Sequence, residues 1–136
     1  MEHMRLHHVG IVMNDMDRVR RFMEKTGLEE DYCEYVDAYQ AYCLFTKTGP
    51  NESPIEFVVP TGGVLMDYNN GKGGLHHIAY EVDDVEKTRQ EFEAMGLSML
   101  EEKAVPGAGG IIVNFLRPRS GEGILTEYVQ QVGPRP

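Results

Sequence analysis

Hydrophobic and polar positions along the chain follow the same scheme twice. The stretch at 6–28 reads LHHVGIVMNDMDRVRRFMEKTGL, and 69 residues later, at 75–97, the chain reads LHHIAYEVDDVEKTRQEFEAMGL. In each copy an alternating, β-branched opening predicts a strand. Apolar residues at helical spacing in the charged segment that follows predict a helix. The repeat is longer than the roughly 20–50 residues of solenoid repeats, so it favours two copies of a small supersecondary module.

Turn and capping residues set the bounds of the other predicted elements. Asn14-Asp15 and Asp83-Asp84 supply side-chain oxygens suited to helix N-caps, and Gly27 and Gly96 suit the left-handed residue that follows a helix. Three β-like runs follow each helix, at 28–35, 39–46 and 54–59 in the first copy and at 98–102, 111–116 and 123–129 in the second. Each copy is therefore predicted to be a β-α-β-β-β module.

The fold expected from this pattern is α+β, built of two tandem β-α-β-β-β modules. The modules span 5–60 and 74–131, and a Gly/Asn-rich connector at 61–73 joins them into a single domain, 1–136. Two copies of a module usually pack about a pseudo-twofold axis that brings equivalent positions together. Polar residues shared by both copies are therefore the candidates for function.

Two histidines and two glutamates recur in this way. His8 and His77 hold the same position in the opening strands, and Glu56 and Glu127 each precede an aromatic residue and a valine in the last strand of a module. Buried carboxylates are costly unless paired or metal-bound. Neutral imidazoles and carboxylates together suit a divalent transition metal such as Zn, Co, Mn, Fe or Ni. The alternatives are structural histidines and glutamates that face solvent.

Composition narrows the range of partners. The 136 residues carry 13 Lys+Arg against 22 Asp+Glu, a formal charge of −9, which argues against a nucleic-acid binder. No run of about 18 apolar residues predicts a membrane span. Two cysteines are too few for a disulfide framework. We therefore expect a cytoplasmic protein that acts on a small molecule without binding nucleic acid or membrane.

Cations that could hold an anionic substrate are few. Lys103, Arg117 and Arg119 lie near the strands of the second module, and the backbone N–H groups of Gly109 and Gly110 could hold a carboxylate or phosphate. We treat these five residues as candidate substrate-binding residues. Ordinary solvated loop charges are the alternative.

Three segments resemble a known group of proteins. They are LHHVGIVM at 6–13, NNGKGGLHHIAYEVDDVE at 69–86 and GAGGIIVNFLRPRSGEGILTEYVQ at 107–130. They resemble the glyoxalase, or vicinal oxygen chelate, superfamily, and within it most of all the methylmalonyl-CoA epimerases. The resemblance implies a glyoxalase-like fold in which a curved mixed sheet surrounds a metal site, and it implies a homodimer.

The same resemblance implies a metal-dependent enzyme. His8, Glu56, His77 and Glu127 would hold one divalent transition metal: Co, Zn, Mn, Ni or Fe. The enzyme would be an isomerase that removes the proton α to a carbonyl, in a substrate such as an acyl-CoA thioester, and forms a metal-bound enolate. Glu127 or Glu56 would act as the base.

Two departures from the epimerase pattern keep alternatives open. Many epimerases have Gln where this chain has Glu56, and a set of two His and two Glu resembles the metal-dependent glyoxalase I enzymes, so a lactoylglutathione lyase is one alternative. Epimerases also carry a second base in the third strand of the first module, where this chain reads Gln40-Ala41. A metal-free, ligand-sequestering protein of the same fold is an alternative of another class, against which the intact donor set argues.

Overall fold

The computed structural model describes residues 4–136, so the first three residues of the expected domain lie outside the described part. Eight strands and two helices follow the predicted order, with one helix after the first strand of each module. Their bounds are β1 Arg5–Val12, α1 Met16–Thr26, β2 Glu30–Val36, β3 Ala41–Thr46, β4 Ile55–Pro60, β5 Gly74–Glu81, α2 Val85–Ala94, β6 Val105–Pro106, β7 Ile111–Leu116 and β8 Thr126–Gln131. The α+β class and the repeated β-α-β-β-β order are confirmed.

Both helices begin and end at the positions that the capping residues predict. The Asp15 carboxylate accepts a hydrogen bond from the backbone N–H two residues on, at 2.9 Å, and Asp84 accepts one from the N–H three residues on, at 3.0 Å. Gly27 and Gly96 have φ of 75° and 79°, a left-handed conformation that costs little only for glycine. These residues fix the length of each helix, and with it the point at which the chain returns to the sheet.

Residues 8–76 form one compact unit, called here the first unit. In it β3 pairs antiparallel with both β2 and β4, and β4 pairs parallel with β1. Val19 and Met23 of α1 pack against Leu44, Phe57 and Val59 of β3 and β4. The helix therefore covers one face of these strands, called here the helix face of the unit.

Residues 4–7 and 77–136 form the second unit. Here β8 pairs parallel with β5 and antiparallel with β7, and β6 pairs with the other edge of β7. Val85 and Phe92 of α2 pack against Leu116 and Tyr128 of β7 and β8. The second unit thus also has a helix face, and in each unit the opposite face of the strands is called here the site face.

The prediction of a strand at 98–102 is wrong, because this segment forms only a single β-bridge, between Met99 and Leu116. Backbone hydrogen bonds join the segment to β7 only at Ser98 and Leu100, and at Glu101 the buried side chain of Asn114 takes the place of the backbone partner. Its Oδ1 accepts from the Glu101 N–H at 2.9 Å, and its Nδ2 donates to the Glu101 carbonyl at 2.9 Å. Paired strand resumes only in the two-residue β6.

No helix among residues 4–136 is both long and apolar enough to cross a membrane.

Asn114→Ala should lower the free energy of unfolding by about 2–4 kcal/mol, because it empties a buried position and leaves the part-buried N–H and C=O of Glu101 without these partners. Urea denaturation followed by far-UV circular dichroism measures the change. Asn51→Ala, in an exposed loop, is the matched control and should stay within about 0.5 kcal/mol of the parent protein. Equal stability of the two variants would show that Asn114 does not hold the segment.

Candidate metal centre

The strand register of the first unit places His8, Phe45 and Glu56 on its site face. Glu56 of β4 pairs with Gly10 of β1 on one side and with Phe45 of β3 on the other. Side chains alternate along each strand, and Leu44 and Phe57 pack against α1. Phe45 and Glu56 therefore point away from α1, and His8, two residues before Gly10, shares their face.

These three side chains form a compact buried cluster. The Nε2 of His8 lies 3.3 Å from the Oε1 of Glu56. The ring of Phe45 meets the imidazole edge-on, with centroids 5.1 Å apart and an interplanar angle of 83°. His8 is fully buried and Glu56 is 8% exposed, so this titratable pair is withdrawn from bulk water.

The second unit repeats the arrangement. The Nε2 of His77 lies 3.2 Å from the Oε1 of Glu127, and both residues are buried. Phe115 pairs with Glu127 in register and meets the imidazole of His77 edge-on, with centroids 5.4 Å apart at 87°. The sequence repeat thus extends to the side-chain contacts of both His–Glu pairs.

Sequence reasoning did not find the two phenylalanines. The signal was present, because Phe45 and Phe115 both stand next to the end of the third strand of their module. The gapless repeat stops before these strands, since the loops that follow the helices differ in length. Each ring packs against a histidine edge and restricts how that imidazole can turn.

The donor set fits a transition metal on geometric grounds. Two ligand atoms that each lie about 2.1 Å from an ion are roughly 3–3.4 Å apart when they occupy adjacent positions in tetrahedral or octahedral geometry. The Nε2–Oε1 distance in each pair falls in that range. Buried carboxylates need a cation or a hydrogen-bonded partner. Each pair is therefore suited to supply one nitrogen and one oxygen ligand to a divalent ion.

Arg117 and Arg119 line a pocket of about 250 Å³ in the second unit, together with Leu100, Phe115, Pro118 and Leu125. The phenyl ring of Phe115 also contacts His77. The pocket of the two predicted arginines therefore shares Phe115 with the His77–Glu127 pair.

Lys103 lies elsewhere. It lines a second pocket, of about 440 Å³, with Glu86, Glu102, Ala104, Ile112 and Gln130. Ile112 is three residues from Phe115 on β7, so the two side chains point to opposite faces. The structure therefore places Lys103 on the helix face and does not bring it together with Glu127.

Gly109 and Gly110 precede β7, whereas Arg117 follows it, so the two groups lie at opposite ends of that strand. The Nε2 of Gln131 donates to the Gly109 carbonyl at 2.8 Å. Gly110 has a φ of 76°, and a Cβ there would lie 2.7 Å from the carbonyl oxygens of Gly133 and Pro134. Close packing against the last residues of the chain accounts for this glycine.

Comparison with known proteins assigns the family. Residues 7–115 match the family model described as the Glyoxalase/Bleomycin resistance protein/Dioxygenase superfamily. The chain therefore belongs to the glyoxalase superfamily.

Within that superfamily, several similar proteins are epimerases. The ethylmalonyl-CoA/methylmalonyl-CoA epimerase of Cereibacter sphaeroides is 32% identical over 136 residues, covering 93% of this chain and 97% of the relative. The mitochondrial methylmalonyl-CoA epimerase of Bos taurus is 28% identical over 131 residues, covering 93% and 74%. The resemblance to methylmalonyl-CoA epimerases is thereby confirmed, and the chain is an enzyme of the glyoxalase superfamily.

Solved structures agree. A methylmalonyl-CoA epimerase in complex with methylmalonyl-CoA and NH4+ is 25% identical, with a TM-score of 0.87 over 98% of this chain and 99% of that one. A Streptomyces coelicolor methylmalonyl-CoA epimerase variant in complex with 2-nitronate-propionyl-CoA is 26% identical, with a TM-score of 0.85 over 97% of each chain. The glyoxalase-like fold is confirmed.

Gly110→Ala should lower the free energy of unfolding by about 2 kcal/mol or more, since it adds a steric clash to the roughly 1 kcal/mol cost of a left-handed alanine. Gly123→Ala is the matched control, because Gly123 has a φ of 86° with nothing within 4 Å of a Cβ. Thermal unfolding of both variants measures the difference. If the two lose equal stability, contact with the end of the chain is not what requires Gly110.

Proposed function

We propose that the protein is a metal-dependent epimerase that inverts the carbon α to the carbonyl of an acyl-CoA thioester of the methylmalonyl-CoA type. The observation that carries the proposal is the duplicated, buried His–Glu pair, each with a phenylalanine against its imidazole. Similarity to proteins named as methylmalonyl-CoA epimerases supports the substrate class.

In this proposal His8, Glu56, His77 and Glu127 hold one divalent transition metal, Co, Zn, Mn, Ni or Fe. Such an ion, when bound, supplies a Lewis acid that stabilises negative charge developing on the substrate carbonyl oxygen. The burial of all four side chains and the repeated Nε2–Oε1 spacing support the assignment. Because each module would contribute two ligands, 5–60 and 74–131 with their connector 61–73 would act as one domain, 1–136.

The chain itself must supply the proton chemistry. A proton α to a thioester carbonyl is only weakly acidic, so a carboxylate has to approach it to about 2.6–3.2 Å in the productive pose. We assign this role first to Glu127, because its register neighbour Phe115 also lines the pocket of Arg117 and Arg119. Glu56 is the second candidate base.

The pocket lined by Phe115, Arg117 and Arg119 suits one part of an acyl-CoA thioester. Its volume of about 250 Å³ is small for a whole ligand of that size. Leu100, Phe115 and Leu125 offer an apolar lining for carbon chain, and the Arg117 and Arg119 guanidinium groups suit a carboxylate or phosphate. Lys103, Gly109 and Gly110 do not line this pocket, and their part in substrate binding stays a prediction.

Glu56 favours one alternative function in the same chemical class, because a set of two His and two Glu resembles that of glyoxalase I enzymes. A lactoylglutathione lyase would act on the hemithioacetal of methylglyoxal and glutathione, so that substrate belongs in the same assay. A homodimer and a cytoplasmic location stay predictions.

Metal binding separates the enzyme from a metal-free sequestering protein. Equilibrium dialysis against Co²⁺ should give one ion per chain, and His77→Ala should weaken binding at least 100-fold because it removes a ligand. His76→Ala is the matched control, since this neighbour alternates to the other face and its ring contacts Tyr68 instead. No stoichiometric Co²⁺ in the parent protein, or equal loss in both variants, would contradict the metal site.

Activity tests the reaction. The cobalt-loaded protein should epimerise methylmalonyl-CoA, followed by chiral analysis of the acyl group. Glu127→Gln should lower kcat by a factor of about 100–10,000, the usual contribution of a general base. Glu122→Gln, at an exposed turn, should leave it unchanged. Near-parental turnover by Glu127→Gln, or turnover of the hemithioacetal only, would overturn the proposal.

A further inference from the structure

The two units differ in the side chain that stands opposite the phenylalanine of each His–Glu pair. In the first unit Tyr32 pairs with Phe45, and the two rings stack with centroids 5.0 Å apart at 19°. In the second unit Leu100 stands opposite Phe115, and its N–H donates to the Phe115 carbonyl at 2.8 Å. A leucine thus takes the place of a stacked tyrosine.

The pocket of the second unit lies at this difference. Leu100 and Phe115 both line it, and Leu125 completes the apolar part of its lining. Leu100 keeps 43% of its surface exposed. A ligand that enters the pocket therefore meets apolar side chains together with the guanidinium group of Arg117.

The backbone fixes the position of Arg117 at the end of β7. Its N–H donates to the Ser98 carbonyl at 3.0 Å, just as the N–H of Lys47 donates to the Glu29 carbonyl at 2.8 Å in the first unit. Arg117 and Lys47 therefore hold equivalent positions in the repeat. Lys47 is exposed, whereas Arg117 is half-buried and lines the pocket.

The charge of this pocket is not neutralised within the described part of the chain. Arg5, Arg20 and Arg89 each form an ion pair with a glutamate. No Asp or Glu among residues 4–136 pairs with Arg117 or Arg119. A cation beside apolar side chains attracts an anion more strongly than a fully solvated cation does. The pocket is therefore suited to an anionic group of a ligand.

Strand geometry relates this anion site to the proposed base. Arg117 lies two residues beyond Phe115 and keeps an extended backbone, with φ −59° and ψ 139°, so both side chains point to the same face. Phe115 pairs with Glu127. The Cα atom of Arg117 is therefore about 6.4–6.8 Å along the sheet and about 4.5–5.5 Å across it from that of Glu127. A long arginine side chain spans this separation.

A thioester of the methylmalonyl-CoA type carries two kinds of anion. Its free carboxylate is bonded directly to the α-carbon, the atom that Glu127 must approach. Its phosphates are separated from the thioester by the whole pantetheine arm. The short distance between Arg117 and Glu127 therefore favours the carboxylate as the group that Arg117 holds.

We propose that Arg117 binds the free carboxylate of the substrate and thereby selects malonyl-type thioesters over neutral acyl-CoA thioesters, an inference that rests on the proposed function. The planar guanidinium donates two parallel N–H···O bonds to a carboxylate. Leu100, Phe115 and Leu125 limit the access of water to this contact. A neutral thioester leaves the guanidinium without an anion and loses these bonds.

Two ligands that differ only in the group at issue test the inference. Isobutyryl-CoA carries a methyl group where methylmalonyl-CoA carries the carboxylate. Isothermal titration calorimetry with the cobalt-loaded protein measures the dissociation constant of each. Arg117→Gln should bind methylmalonyl-CoA about 10- to 100-fold more weakly, because it loses hydrogen bonds between charged groups. It should bind isobutyryl-CoA within twofold of the parent.

Three further measurements serve as controls. Arg117→Lys should recover at least threefold of the lost affinity for methylmalonyl-CoA, because it restores the charge without the planar fork. Lys47→Gln, at the equivalent position of the first unit, should bind both ligands within twofold of the parent. The dissociation constant for Co²⁺ in Arg117→Gln should stay within twofold of the parent, because Arg117 is not one of the proposed metal ligands.

Equal weakening of both ligands in Arg117→Gln would overturn the inference, because Arg117 would then bind the coenzyme A portion that they share. Unchanged binding of methylmalonyl-CoA would also overturn it. Either result leaves the proposed function standing, since that function is judged by Co²⁺ binding and by epimerisation in the parent protein. A parent protein that does not epimerise methylmalonyl-CoA would overturn the proposed function and this inference with it.

Discussion

The structure of each module depends on placing a histidine and a glutamate, side by side, on the sheet face that its helix leaves uncovered. His8 with Glu56 and His77 with Glu127 are separated by 3.3 and 3.2 Å. Burial of such groups is costly unless they are paired or bind a cation. The parallel pairing of the first and last strand of each module, Gly10 with Glu56 and Ala79 with Glu127, sets this contact. The capped helices pack on the opposite face and keep that face apolar.

Much of this could be predicted from the sequence because the repeat supplied a second copy of every observation. The N-caps, the glycines after the helices and the four His and Glu residues follow from local rules applied twice. The segment at 98–102 could not be assigned correctly, since the buried Asn114 side chain replaces the backbone partner of Glu101 and the strand pairing stops there. The face of Lys103 and the role of Gly110 depend on tertiary packing that periodicity does not report.

The two modules differ in the pocket that we propose for the substrate. The second unit carries a pocket lined by Arg117, Arg119 and Phe115, the ring that also contacts His77. A duplicated donor set suits a shared metal, whereas substrate binding and proton delivery act on a molecule without twofold symmetry. The asymmetric residues are therefore the ones that we connect with the substrate.

The most direct test of a single four-ligand centre is anomalous diffraction at the cobalt edge from crystals of the cobalt-loaded protein. One strong peak per chain is expected, about 2.0–2.2 Å from one atom each of His8, Glu56, His77 and Glu127. Two separate peaks, one at each His–Glu pair, or a peak held by other residues would contradict it.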